Sequence, residues 1–113
     1  MPELYFNPAC SKCRSALALL DERGVQADVV HYLDVAPTRD DLERLLRLLG
    51  AEDPRVMMRT GETLYAELEL DSADRDGLLD ALSSHPVLLE RPIFVRGDKA
   101  VIGRPPERVL ELV

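Results

Sequence analysis

Two cysteines three residues apart, Cys10 and Cys13, enclose Ser11-Lys12 near the start of the chain. They follow Glu3-Leu4-Tyr5-Phe6, a short β-prone run cut off by Asn7-Pro8, and they open a segment with helical spacing. A thiol at such a junction faces the unpaired N–H groups and the positive dipole end of a helix. Lys12 and Arg14 add positive charge nearby. The thiolate, not the thiol, is the nucleophile, so this setting predicts a lowered pKa for Cys10. Cys13 lies about one helical turn on, within disulfide reach, on the apolar face with Leu17 and Leu20. A resolving or packing role suits it better than first attack. Zinc would require four ligands. His31, in a predicted strand, and His85, before Pro86, lack metal-ligand spacing, so no metal is expected. Two inert core cysteines would be the ordinary reading elsewhere in a chain. At the strand–helix junction of a βαβ unit the pair points to redox chemistry.

The arginines form the second group. The chain holds 12 Arg and only 2 Lys. Arg23, Arg39, Arg44, Arg47, Arg75 and Arg108 fall in amphipathic patterns and read as solvated helix faces. Arg59 follows Val56-Met57-Met58, Arg91 precedes Pro92, and Arg104 sits between Gly103 and Pro105-Pro106. These three lie at element boundaries, where a rigid neighbour can hold a guanidinium for bidentate oxyanion binding.

The elements that must position these groups alternate along the chain. A helix is predicted over 11–23, stopped by Gly24, and a second strand over 27–33. Thr38 with Asp41 resembles a capping box and opens a helix burying Leu42, Leu45, Leu46 and Leu49. Asp53-Pro54 starts a short helix, and 71–84 reads as another. Ile93-Phe94-Val95 and Ala100-Val101-Ile102 flank Arg96-Gly97-Asp98-Lys99 as a hairpin with Gly in the turn. A helix over 105–113 closes the chain with Val109, Leu110 and Val113 inward. The βαβ unit gives parallel strands and the hairpin adds an antiparallel pair, so an α/β fold with a mixed four-stranded sheet is expected.

Length and composition bound the function. The 113 residues suit one small domain. The net charge of −7 makes the chain a poor partner for a phosphate backbone, so no direct nucleic-acid contact is expected. No stretch approaches the roughly 20 apolar residues that span a bilayer. The N-terminal residues lack a signal-peptide pattern, which points to the cytoplasm.

Three ordered segments resemble one family. Asn7-Pro8-Ala9-Cys10-Ser11-Lys12-Cys13-Arg14, His85-Pro86-Val87-Leu88-Leu89-Glu90-Arg91-Pro92-Ile93 and Ile102-Gly103-Arg104-Pro105-Pro106 stand in the order of the ArsC family, the small glutathione- and glutaredoxin-dependent arsenate reductases. Met57-Met58-Arg59 followed by Leu64-Tyr65 resembles that family's inserted helical region. The resemblance implies a thioredoxin-like (glutaredoxin-like) fold, with a core over 1–36 and 86–113 and a helical insertion over 37–85. It implies that Cys10 is the catalytic cysteine, that Arg59, Arg91 and Arg104 bind the arsenate oxyanion, and that Pro92 is a cis-proline facing Cys10. It implies no bound cofactor, glutathione as reductant, and glutaredoxin or thioredoxin as partner.

Cys13 departs from the simplest pattern, since arsenate reductases of this type often carry serine there. A C-x-x-C at this place is typical of the Spx branch, transcriptional regulators that bind RNA polymerase and sense oxidation. The full arginine set and the Arg104-Pro105-Pro106 ending resemble the reductase branch more closely. A thiol-redox member of the family without arsenate activity is the third alternative.

Overall fold

The computed structural model describes residues 2–113. Its sheet is built around the two most buried strands. β1 (Glu3–Tyr5) pairs in parallel with β2 (Asp28–Val30) and antiparallel with β3 (Ile93–Arg96). β3 turns back through Gly97, whose φ of 64° suits glycine, into β4 (Lys99–Ile102). The order is β2-β1-β3-β4. Leu4, Tyr5, Ile93, Phe94 and Val95 are all buried, regardless of which way they point along the strand. Interior strands of a mixed sheet carry such continuous apolar runs. This topology is thioredoxin-like.

α1 (Ser11–Glu22) returns the chain from β1 to β2. It buries Cys13, Ala16 and Leu20 and ends at Gly24, with φ of 70°. It packs on a 3-10 helix over Pro106–Leu112, which also touches β4. Leu20, Phe94 and Val109, each fully buried, join Cys13 in one apolar cluster. Each large side chain of that kind contributes about 1.5–3 kcal/mol of transfer free energy. The cysteines therefore sit on a rigid floor.

The chain forms two compact units. One takes residues up to Tyr32 together with Arg91–Val113, and the other is Leu33–Glu90. In the second unit, α2 (Arg39–Leu48) opens with the full capping box: Thr38 accepts from the Asp41 N–H while Asp41 accepts from the Thr38 N–H. Its Leu42, Leu45 and Leu46 face α4 (Arg75–Ser84), which buries Leu78, Leu79 and Leu82. Arg39 pairs with Asp76 and Asp80, and Arg75 with Glu43. These pairs are largely exposed and add little beside the leucines. A short α3 (Thr63–Glu67), not anticipated from sequence, precedes a 3-10 turn at Leu70–Ser72.

Four expectations change. β2 ends at Val30 rather than Leu33, because the Val30 carbonyl accepts from Phe6 and also from Tyr32, which folds the chain into a turn. The helix expected over 71–84 begins only at Arg75. Asp74 caps it by accepting from the Gly77 N–H at 2.8 Å. The break is held by Arg55, whose Nη2 donates to the carbonyls of Leu70, Asp71 and Ala73 while its Nε donates to the Tyr65 hydroxyl. Arg55 showed no pattern in the sequence, since its acceptors are backbone carbonyls that folding gathers. The C-terminal segment is 3-10 rather than α-helical, and Val113 is half exposed instead of inward. Leu49 is half-buried as the C-cap of α2, not a full core residue.

Candidate active site

Cys10 is the N-cap of α1, with extended backbone, so its side chain sits beside the first turn's free N–H groups. Asn7-Pro8 sets this entry. The Asn7 Oδ1 accepts from the Ala9 N–H at 3.0 Å, and the Asn7 carbonyl accepts from the Cys10 N–H at 2.9 Å. Arg14 closes the loop by donating from Nη1 to the Pro8 carbonyl at 2.7 Å. Its charge is thus engaged with the loop backbone. Asn7 was legible only as a turn former; its role in shaping the cysteine loop emerges from the fold.

The two thiols are reduced and buried, yet they differ sharply in acidity. Burial pushes the Cys10 thiol up, but hydrogen bonds outweigh it. The Arg91 side chain, the Cys13 N–H, the Cys13 thiol and the Lys12 N–H together bring Cys10 down to about 7. Burial also raises Cys13, and here it prevails. The Asn7 backbone and the Arg91 charge favour the Cys13 thiolate, while the hydrogen bond and negative charge of Cys10 oppose it, and Cys13 is pushed up to about 11. Near neutral pH one sulfur is an available nucleophile and its neighbour is a proton donor. The Lys12 side chain is exposed; its backbone N–H is what reaches Cys10.

Two arginines reach the same sulfur. Burial opposes the Arg91 cation, but its hydrogen bond to Cys10 and the charges of Tyr32, Cys10 and Cys13 raise its pKa above the ordinary value. Arg104 donates from Nε to the Arg91 carbonyl at 2.8 Å, and its Nη2 lies 3.9 Å from the Cys10 sulfur. The Arg91–Pro92 peptide bond is cis, and so is Arg104–Pro105, which the sequence did not announce.

Gly103 lets the Arg104 segment approach Pro92. Its N–H donates to the Pro92 carbonyl at 2.9 Å. A Cβ at Gly103 would stand 2.8 Å from Pro92 Cγ and 3.1 Å from Val109 Cγ1. A proline ring and a fully buried valine have little room to retreat. Gly103→Ala is expected to cost about 1–3 kcal/mol of stability and to shift Arg104. A urea midpoint equal to wild type would refute the close packing.

Cys10, Cys13, Arg91, Pro92 and Arg104 thus belong to one unit, whereas Arg59 belongs to the other. Arg59 leaves an antiparallel bridge between Met58 and Leu89. Its N–H donates to the Leu88 carbonyl and the Glu90 N–H donates to the Met57 carbonyl, both at 2.8 Å. Its guanidinium pairs with Glu62 at 3.0 Å. Sequence reasoning named Arg59 but not this carboxylate partner.

Known proteins resemble this chain along nearly its whole length. The ArsC family pattern matches residues 5–112. The chain is 49% identical to an arsenate reductase of Neisseria meningitidis serogroup A over 113 residues, 96% of this chain and 97% of that one. It is 46% identical to an arsenate reductase of Haemophilus influenzae, with 97% of each chain covered. An arsenate reductase structure from Vibrio cholerae superimposes with a TM-score of 0.96 at 45% identity, covering 99% of this chain and 97% of that one. With its thiol pair at the helix start, its two arginines against Cys10 and a family match along nearly its whole length, the chain belongs to the ArsC family.

Proposed function

We propose that the protein reduces arsenate to arsenite, with Cys10 as nucleophile. The observation that carries this reading is a Cys10 thiol near pKa 7, hydrogen-bonded by Arg91 and flanked by Arg104, at a helix N-terminus. The same groups that favour a thiolate favour a bound oxyanion. The names of the relatives point to the same substrate.

The Cys10 thiolate attacks arsenic(V), and one arsenate oxygen leaves as water after taking up protons. The product is a sulfur–arsenic(V) adduct held by the arginines. Arg59 is assigned to oxyanion binding in this reading on the family resemblance alone. A second thiol then attacks the Cys10 sulfur. Two electrons pass to arsenic, arsenite departs, and the two sulfurs become a disulfide.

Cys13 suits the second step. Burial keeps it protonated, but part of its raised pKa comes from the Cys10 hydrogen bond and charge. Bonding Cys10 to arsenic removes the thiolate charge itself, and Arg91 and Arg104 offset the charge that the adduct brings. Glutaredoxin or thioredoxin, with glutathione, then reduces the Cys10–Cys13 disulfide. Both thiols are free, which suits a reducing cytoplasm. Among the described residues no helix is long and apolar enough to cross a membrane.

The test is arsenate-dependent NADPH consumption in assays coupled through glutaredoxin with glutathione, and through thioredoxin. No arsenate-dependent turnover with either system overturns the reading. A more specific outcome concerns Cys13→Ser. It is expected to retain arsenate binding, to lose thioredoxin-supported turnover at least about tenfold and to keep turnover with external glutathione. Mass spectrometry of the oxidised wild type should show an internal disulfide, two hydrogens lighter. If the wild type carries only a glutathione adduct at Cys10, Cys13 is a packing residue.

A further inference from the structure

The two thiols lie against each other. Both are reduced, a hydrogen bond joins their side chains, and both belong to the same unit of the fold. Cys10 is the N-cap of α1 and Cys13 lies in its first turn, so the helix backbone fixes their spacing. Cys13 is fully buried, whereas Cys10 keeps 8% of its surface exposed. Cations stand beside that opening. Arg91 hydrogen-bonds Cys10, and Arg104 Nη2 is 3.9 Å from the same sulfur. Oxidation turns such a pair into a disulfide. In the reduced state the same geometry offers two soft sulfur donors held side by side.

We propose that the reduced Cys10–Cys13 pair is a binding site for trivalent arsenic, held as a two-sulfur chelate. The binding rests on the placement of the two thiols; its meaning as capture of the reaction product rests on the arsenate reading above. Trivalent arsenic makes three bonds and favours soft sulfur over oxygen. Arsenous acid brings three hydroxyl groups. The Cys10 and Cys13 sulfurs each displace one, so two arsenic–oxygen bonds break and two arsenic–sulfur bonds form. Two waters leave, carrying the displaced hydroxyls, the Cys13 proton and a second proton from Cys10 or solvent. Arsenic stays trivalent and no electron is transferred. Among the described residues no group of three His, Cys, Asp or Glu side chains could hold a metal ion. The third arsenic bond therefore keeps its hydroxyl oxygen, to which Arg91 and Arg104 can donate. The chelate and the disulfide exclude each other, because both consume the same sulfurs. A protein that has just turned over holds a disulfide and cannot retain arsenite. Reduction reopens the pair, and arsenite still present occupies it. Product thus acts on the reduced protein and removes its nucleophile.

The experiment uses the whole chain, reduced with a phosphine so that no other thiol is present, and sodium arsenite as the probe. Equilibrium dialysis is expected to find one arsenic bound per wild-type chain. Saturating arsenite should slow Cys10 alkylation by iodoacetamide at least about tenfold, since a bonded sulfur is no longer a free thiolate. Dithiothreitol, a competing dithiol, should strip the arsenic. Cys10→Ser and Cys13→Ser each leave a single sulfur donor, and each should bind arsenite at least about a hundredfold more weakly, as the loss of a fixed second donor implies. A folded Cys13→Ser that holds arsenite as tightly as wild type overturns the chelate. Arsenic K-edge absorption of the loaded wild type reads the coordination without any variant: two sulfurs and one oxygen support the proposal, and one sulfur overturns it. None of these readouts involves arsenate turnover. A chelate in a protein that reduces no arsenate leaves this site standing and removes the reading of the reaction, whereas turnover without a chelate removes this site alone.

Discussion

Cys10→Ser lowers arsenate turnover at least about a thousandfold and leaves the fold in place. A serine hydroxyl at this position is not ionised near neutral pH, and it bonds poorly to arsenic, so the first covalent step is lost. Structural damage is not the cause to expect. Cys10 is an N-cap, a position at which serine is strongly preferred. The variant should match or exceed wild type in thermal stability while losing activity. Circular dichroism melts and the coupled NADPH assay make the comparison. Turnover near the wild-type rate ends the assignment of Cys10 as nucleophile.

Arg91 carries the second large effect because it acts on Cys10 and on the oxyanion together. Arg91→Lys keeps a positive charge but loses the planar fork. With one charge-assisted hydrogen bond of about 1.5–3 kcal/mol removed, kcat/KM for arsenate should fall about tenfold or more. The thiol gives an independent readout. Wild-type Cys10 alkylation by iodoacetamide should rise with pH through a midpoint of about 7, since only the thiolate reacts. Burial opposes that ionisation, and the Arg91 hydrogen bond is the largest of the effects that overcome it. Removing the hydrogen bond therefore moves the midpoint upward. Arg91→Ala should alkylate more slowly than wild type near neutrality and approach the wild-type rate well above the shifted midpoint. A midpoint unchanged in Arg91→Ala, with unchanged arsenate kinetics in Arg91→Lys, would exclude Arg91 from both roles.

Local signals placed much of the fold. Thr38 with Asp41 set the start of α2, because the two reciprocal capping bonds span only three residues. Gly97 placed the hairpin turn and Gly24 the end of α1, because both need a positive φ. The thiol pair was legible as well. Residues three apart at a helix start share its free N–H groups whatever the rest of the chain does, and that position, with the charges of Lys12 and Arg14, predicted a more acidic Cys10.

Other features had no local signature. The helix expected over 71–84 is broken because Arg55, from a distant segment, collects the carbonyls of Leu70, Asp71 and Ala73. Nothing near those residues in the sequence encodes that bond. The direction of the split between the thiols was legible, because Cys13 shares the apolar face with Leu17 and Leu20, but its size is tertiary. Helix position favours Cys10, but the depth of burial under Leu20, Phe94 and Val109 is what pushes Cys13 up to about 11. The chain by itself determined which residue types could do chemistry, since caps, turns and a two-residue thiol spacing are short-range properties. The tertiary structure decided which of those residues meet. Arg91 and Arg104 are more than 80 residues from Cys10 along the chain, and only the pairing of β3 with β1 and β4, with Gly103 seated on Pro92, brings their guanidinium groups to its sulfur.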